Sequence, residues 1–388
     1  MKAIVRMLLV VILAGTLVLI PFTPASAEVP VAYQVQPGDT LPRIAVAHQV
    51  TLKALMDANP EIRKPKAITP GQWLRLPGSA VLPRQSFIAL LASGQFEIDE
   101  ILKEVQVRAV YRIVGREFTL GKWGQKSVIV AVAGGGLNNA AIGTSVLLTH
   151  FNVSVVGFVG IAGGGHDTLI GDACVASGAV QNDQGNWFDF EFPGGDIAPG
   201  LTWYMGGQPV IRDSGTTSEL VLFPDAAMLT QIQASLASIE LPLVGPEVAD
   251  FLGVPQYHPS ILTDCWSASG NQFVTSERTL VLLDQRIGLA ANQLGVTAPH
   301  YNIVDEEDFG AIQTAAEYGV PWFVVRVAVD LARQWDPARG VPYDLINDPD
   351  AIWGWFFANG APFGNFDWNY FYRQIEIVVD PIVAALPQ

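Results

Sequence analysis

Between Phe87 and Asp330 the chain repeats one pattern: a short apolar or β-branched run, a cluster of glycines, then a stretch with helical spacing. Phe87–Leu91, Ser127–Val132, Val153–Val159 and Ala173–Ser177 are such runs. Runs without polar alternation belong to strands buried on both faces, so helices must cover both sides of the sheet. The pattern predicts an α/β domain with a central mixed or parallel sheet flanked by helices, and such sheets bind ligands at the carboxyl ends of their strands. Further strands are expected at 107–114 and 118–120, and helices at 98–105 and 138–151.

Charge excludes one large class of partner. Lys plus Arg number 22 against 37 Asp plus Glu, a net of −15. Nucleic-acid binding rests on neutralising phosphates with basic side chains, so no nucleic acid is expected. Gly134-Gly135-Gly136 precedes a helical stretch, but neither a Gly-x-x-x-x-Gly-Lys-Ser/Thr loop nor the dinucleotide fingerprint is present, which disfavours nucleotide cofactors.

The first 27 residues read as a secretory signal peptide: Lys2 and Arg6 flank the apolar run Met7–Ile20, and Ala25-Ser26-Ala27 follows. That run is shorter than the roughly 20 apolar residues of a spanning helix, so no membrane span is expected after cleavage. Export leads to an oxidising compartment. There Cys174 and Cys265 either form one bridge or stay as two buried thiols.

Residues 33–77 have the order strand, helix, helix, strand. Tyr33 and Val35 alternate, Pro37-Gly38-Asp39 turns, Ile44, Ala47, Leu52, Leu55 and Met56 have helical spacing, and Gln72–Leu76 is a strand after Pro70-Gly71. With Gly38-Asp39-Thr40-Leu41, Asn59-Pro60 and Pro70-Gly71-Gln72 in place, this βααβ stretch resembles a LysM module; Pro42 departs from the motif. The resemblance implies binding of N-acetylglucosamine chains, in peptidoglycan or chitin, at Gly38, Asp39, Thr40, Ile68 and Thr69. The alternative is a spacer without affinity. Residues 79–85 read as a linker.

The larger domain also carries a resemblance. Ala133-Gly134-Gly135-Gly136-Leu137-Asn138-Asn139, Val159-Gly160-Ile161-Ala162-Gly163-Gly164, Ser269-Gly270-Asn271-Gln272-Phe273, Val304-Asp305-Glu306-Glu307 and Gly319–Asp330 occur in order. Together they resemble the purine nucleoside phosphorylase and methylthioadenosine/S-adenosylhomocysteine nucleosidase superfamily. What the resemblance implies is cleavage of an N-glycosidic bond, with Asp330 as the acid that protonates the leaving purine. It implies Glu307 as the carboxylate that holds the ribose hydroxyls, and Phe273 and Val274 as contacts to the base. Gly134, Ala162 and Gly163 would line the substrate site. Burial would raise the carboxyl pKa of Asp330, as an acid catalyst requires. Without a ligand, the same residues have plainer readings: a strand-end ion pair for Asp330, a helix N-terminal acid for Glu307 and core packing for Phe273.

Glu97 and Phe158 stand where phosphorylases carry phosphate-binding arginines, which disfavours phosphorolysis. Glu97 resembles instead the nucleosidase glutamate that activates water; its plain reading is a solvated acid in a first helical turn. Glu306 replaces the motif's Met and Val329 its Ser, so a third carboxylate enters the sugar pocket.

The domains expected are a signal peptide (1–27), a LysM module (28–78), a linker (79–85), the phosphorylase/nucleosidase-like domain (86–336) and an aromatic-rich segment packed on it (337–388). Pro381 argues against one uninterrupted final helix. An insertion, 183–217, covers the site, makes a subunit contact or packs as a plain loop. The resulting expectation is an exported, wall-associated purine nucleosidase that uses neither metal nor organic cofactor; its relatives are often dimers, which motivates a homodimer without establishing one. A wall-bound nucleoside-binding or storage protein, like the bark storage proteins, and a true phosphorylase are the alternatives.

Overall fold

The structure is a computed structural model that describes residues 29–65, 67–165, 167–182, 186–188, 201–203, 209–212, 215–218, 221–271, 302–331 and 367–387. The signal segment 1–27, Phe273, Val274, most of the 183–217 insertion and the aromatic stretch 353–366 lie outside the described residues.

The N-terminal module has the βααβ order: β1 (Val31–Gln34), α1 (Leu41–Ala47), α2 (Leu52–Ala58) and β2 (Trp73–Arg75). Thr40 and Thr51 cap the two helices by accepting hydrogen bonds from Arg43 N and Ala54 N. Pro42 falls in the first turn of α1, where its missing N–H removes no helical bond. Buried Asn59 donates to Leu55 O and Arg75 O and accepts from Arg75 N, which clamps α2 to β2.

In the larger domain, β3 (Phe87–Ala92), α3 (Gln95–Glu104), β4 (Gln106–Ile113), β5 (Arg116–Trp123), β6 (Lys126–Val132), α4 (Leu137–His150), β7 (Val153–Gly164) and β8 (Ala173–Gln181) follow in the order the pattern predicts. Two short hairpins come next, β9 (Asn186–Phe188) with β10 (Leu201–Trp203) and β11 (Pro209–Arg212) with β12 (Gly215–Ser218). The chain continues through β13 (Val221–Leu222), α5 (Ala226–Leu236), α6 (Pro246–Leu252), β14 (Ile261–Ser269), β15 (Ile303–Asp305), α7 (Asp308–Glu317), β16 (Trp322–Leu331) and α8 (Trp368–Ala385).

One mixed sheet runs through both modules. Its order is β13-β8-β14-β15-β7-β3-β6-β5-β4-β1-β2, and β16 pairs with both β7 and β8. The double pairing closes β7, β16, β8, β14 and β15 into a ring at one end. Every residue of β3 and β16 is buried, as strands covered on both faces must be. Cys174 on β8 and Cys265 on β14 form a disulfide, Cα–Cα 5.9 Å, across neighbouring strands of the ring.

At the other end, β1 pairs antiparallel with β4, Tyr33 opposite Tyr111 and Val31 opposite Ile113. The rings of Tyr33 and His48 each lie within 6 Å of Tyr111, at 5.6 Å, and Tyr111 is 5.9 Å from Phe151. Residues 79–85 are not a free tether: Val81 N donates to His48 O, and Ala80 and Leu82 rest on the shared core. The apolar ring cluster supplies the burial that a Pro- and Gly-bearing stretch does not advertise.

α8 corrects the expectation about Pro381. The helix runs unbroken from Trp368 to Ala385 with the proline inside it. Ile375, Val378, Val379 and Ile382 are fully buried and Val383 nearly so, and that packing outweighs one missing backbone bond near a helix end.

Candidate active site

The centre of the site is Arg326, in the middle of β16 and 0% exposed. A guanidinium taken from water must be paired, and four carboxylates surround it. Its Nε donates to Asp308 Oδ1 at 2.8 Å and its Nη2 to Glu307 Oε2 at 3.1 Å; Glu97 Oε1 lies 3.6 Å from Nη1 and Asp305 Oδ1 3.7 Å from Nη2. Nη1 also donates to Ile161 O, at 2.9 Å. Among the described residues, four acids meet this one cation.

Ser267 bridges two of these acids. Ser267 Oγ lies 2.8 Å from Asp305 Oδ2 and 2.7 Å from Asp308 Oδ2, and one hydroxyl proton cannot serve both. Burial pushes the Asp308 carboxyl well above its usual value, and the Asp305 charge adds to this against the pull of Arg326. For Asp305 burial acts in the same direction, but Arg326 and the hydrogen bonds to it outweigh burial and hold it below its usual value. Burial and charge thus push the two carboxyls in opposite directions, Asp308 up and Asp305 down.

Local structure explains why Glu307 faces the site. It is the N-cap of α7, but Asp305 Oδ1 takes over the capping by accepting from Glu307 N at 2.7 Å and Asp308 N at 2.8 Å. The Glu307 side chain is left to accept from Gly136 N at 3.0 Å through Oε1 and from Arg326 through Oε2. α4 and α7 meet closely at Gly310, where a Cβ would lie 2.1 Å from Leu137 O, and this brings the start of α4 to Glu307. Burial raises the Glu307 carboxyl above its usual value, with Arg326 opposing the rise.

Glu97 is a first-turn acid of α3, as its position predicts, but it is 1% exposed rather than solvated. Its Oε2 accepts from Ser93 N, Ser93 Oγ and Gly94 N at 2.8, 2.6 and 2.9 Å, and its Oε1 from Ile161 N at 2.9 Å. Oε2 is saturated, while Oε1 keeps a lone pair. Gly160 permits this approach: a Cβ there would lie 2.2 Å from Glu97 Oε1 and 2.6 Å from Arg326 Nη1. This close packing accounts for β7 continuing past its glycines.

Asp330 reaches the same space through a register shift in β16 between Ala328 and Asp330. Strict alternation would turn Val329 and Asp330 to opposite faces, but with the irregularity both line the cavity. Burial alone pushes the Asp330 carboxyl from 3.8 up to about 7.

These groups share one cavity of about 170 Å³, lined by Glu97, Asp305, Glu306, Glu307 and Asp330 together with Ser93, Phe96, Ile161, Ala162, Gly163, Val304 and Val329. No Lys, Arg or His is among the lining residues described. Gly134 is placed elsewhere: it lines a wider cleft of about 850 Å³ between β1, the β4–β5 hairpin and α3. Its neighbour Gly136 supplies the contact to Glu307.

In the N-terminal module, Asp39 Oδ2 accepts from Tyr33 Oη at 2.6 Å and Gln36 N at 2.8 Å, so this carboxylate braces its loop. Gly38, Thr40 and Thr69 are exposed and Asp39 and Ile68 half-buried. None of the five lines the acid cavity.

Sequence reasoning did not single out Arg326, Asp305 or Asp308 as site residues. The available signal was one arginine inside the run Val324-Val325-Arg326-Val327, since a cation in a strand buried on both faces requires an acidic partner.

Comparison with known proteins adds the following. A family model for the phosphorylase superfamily matches residues 86–342, and one for the LysM domain matches residues 33–77. The chain is 28% identical over 218 residues to a 5′-methylthioadenosine/S-adenosylhomocysteine nucleosidase of Mycobacterium bovis, a match covering 55% of this chain and 74% of the relative. It is 33% identical over 97 residues to the protein of the same name from Bacillus pumilus, covering 25% of this chain and 42% of that one. Among solved structures, the nucleosidase of that name from Neisseria meningitidis, in complex with methylthio-immucillin-A, superposes with a TM-score of 0.49 at 16% identity, covering 78% of this chain and 99% of the other.

Proposed function

The chain belongs to the phosphorylase superfamily and carries a LysM domain, and from that premise we propose that it is an exported, wall-associated nucleosidase that hydrolyses the N-glycosidic bond of purine, adenosine-like nucleosides. The observation that carries this reading is the meeting of Glu97, Glu307 and Asp330 in one cavity whose described lining holds no free cation. The names of the relatives point the same way.

Each acid has the setting its role requires. Asp330, held up to about 7 by burial, keeps a proton near neutrality and delivers it to the leaving base. Glu97 offers the open lone pair on Oε1 to a water, takes its proton as the bond breaks, and directs the resulting hydroxide at the anomeric carbon. Glu307, fixed by Gly136 N and Arg326, accepts hydrogen bonds from the ribose hydroxyls and holds the sugar between the other two. An oxocarbenium-like sugar is well placed among carboxylates. A phosphate dianion is not, because Arg326 is already enclosed by acids.

Export is supported by the disulfide between Cys174 and Cys265, since such bonds persist in oxidising compartments. Wall association is supported by the LysM domain, and the Gly38–Thr40 loop and Ile68-Thr69 would be its glycan contacts. Following purine release from adenosine and methylthioadenosine, with and without phosphate, tests the activity. Turnover independent of phosphate is the expected result. Dependence on phosphate would reassign the protein as a phosphorylase, and binding without turnover would make it a nucleoside-binding protein. Co-sedimentation with peptidoglycan tests the anchor; a chain left in the supernatant would reduce the module to a spacer.

A further inference from the structure

Glu306 stands apart from the network around Arg326. It lies between Asp305 and Glu307 on the turn from β15 to α7, is half-buried, and lines the acid cavity. Among the described residues its carboxylate accepts no hydrogen bond and meets no cation. Among the described residues the charge that acts on it is another carboxylate: burial first, and then Asp305, push the Glu306 carboxyl above its usual value. A half-buried carboxylate beside another carboxylate is stabilised most by an incoming cation. An anionic group there meets like-charge repulsion in a partly desolvated space, and a neutral thioether or hydroxyl leaves the excess charge as it was.

We propose that Glu306 makes the sugar end of this cavity select for positive charge, so that its favoured substrates are nucleosides bearing an ammonium group next to the sugar. The inference rests on reading the cavity as a nucleoside site and names the substrate class of that site.

The test uses the full chain and two ligands that differ in one group, adenosine and 5′-amino-5′-deoxyadenosine. Both kcat/KM and Kd are measured for each, in the wild type and in Glu306→Gln and Glu306→Met. The wild type is expected to favour the amine, and the amine-to-hydroxyl ratio to fall about tenfold in both variants, the size of one charge-assisted contact. The ratio is taken within each protein, so partial loss of folded material cancels. An equal ratio in all three proteins overturns the proposal, as does failure of the wild type to bind either ligand. If the binding ratio shifts while the wild type releases no base, Glu306 keeps its role and the hydrolytic reading falls instead.

Discussion

The two ends of the one sheet hold together by different physics. Where β1 joins β4, the contacts are backbone pairing, the rings of Tyr33, His48, Tyr111 and Phe151, and the Arg112 guanidinium 4.0 Å above Trp73. Where β7, β16, β8, β14 and β15 close into a ring, Arg326 on β16 meets four acids. The first end gains stability from burial. The second accepts an unfavourable burial of charge and obtains carboxyl groups with displaced pKa values, which is what acid–base chemistry at neutral pH needs.

The contrast breaks most sharply at Arg326. Arg326→Met leaves the surrounding carboxylates with no cation, and it is expected to cost about 3–5 kcal/mol of folding free energy and all nucleosidase activity. Urea unfolding measures the first, and an unchanged midpoint would mean the cluster is not held by charge. Asp330→Asn should separate function from stability. Activity is expected to fall by about 10²–10⁴, the usual worth of a general acid. Stability should move the other way. A carboxyl raised from 3.8 to about 7 in the folded protein binds more protons folded than unfolded between those values, so the wild type loses stability as pH rises through that window. Asn carries no such dependence, and Asp330→Asn is therefore expected to be the more stable protein at pH 8 by roughly 1–4 kcal/mol. A less stable variant at that pH would contradict the burial of Asp330.

Smaller changes sharpen the same comparison. Gly160→Ala inserts a methyl between Glu97 and Arg326 and is expected to cost about 1–3 kcal/mol with a matching loss of activity. At the other end of the sheet, Arg112→Ala removes the contact to Trp73, worth about 0.5–1 kcal/mol at an exposed site, and leaves kcat/KM unchanged. A drop in kcat/KM there would show that the junction with the LysM domain reaches the active site.

How much of this was legible in the sequence also differs between the two ends. The element order from β3 to β8 follows from apolar runs and glycine punctuation, which are local signals. Glu97 and, more than 200 residues on, Glu307 and Asp330, all named from motifs, do line one cavity. The bridging of Asp305 and Asp308 by Ser267 was not legible, because the serine comes from a distant strand. Nor was the pairing of β1 with β4: edge strands carry no mark of their partner, and residues 79–85 look like a tether. Gly134 was placed by motif at the substrate, but it lines the wider cleft, and Gly136 makes the contact to Glu307.

The pH dependence of kcat/KM for base release tests most directly whether a buried, protonated Asp330 drives the reaction. An alkaline limb that falls with an apparent pKa of about 7 is expected. A rate that holds level from mildly acidic to strongly alkaline solution would contradict it, because a carboxyl acid of that kind loses its proton across that range.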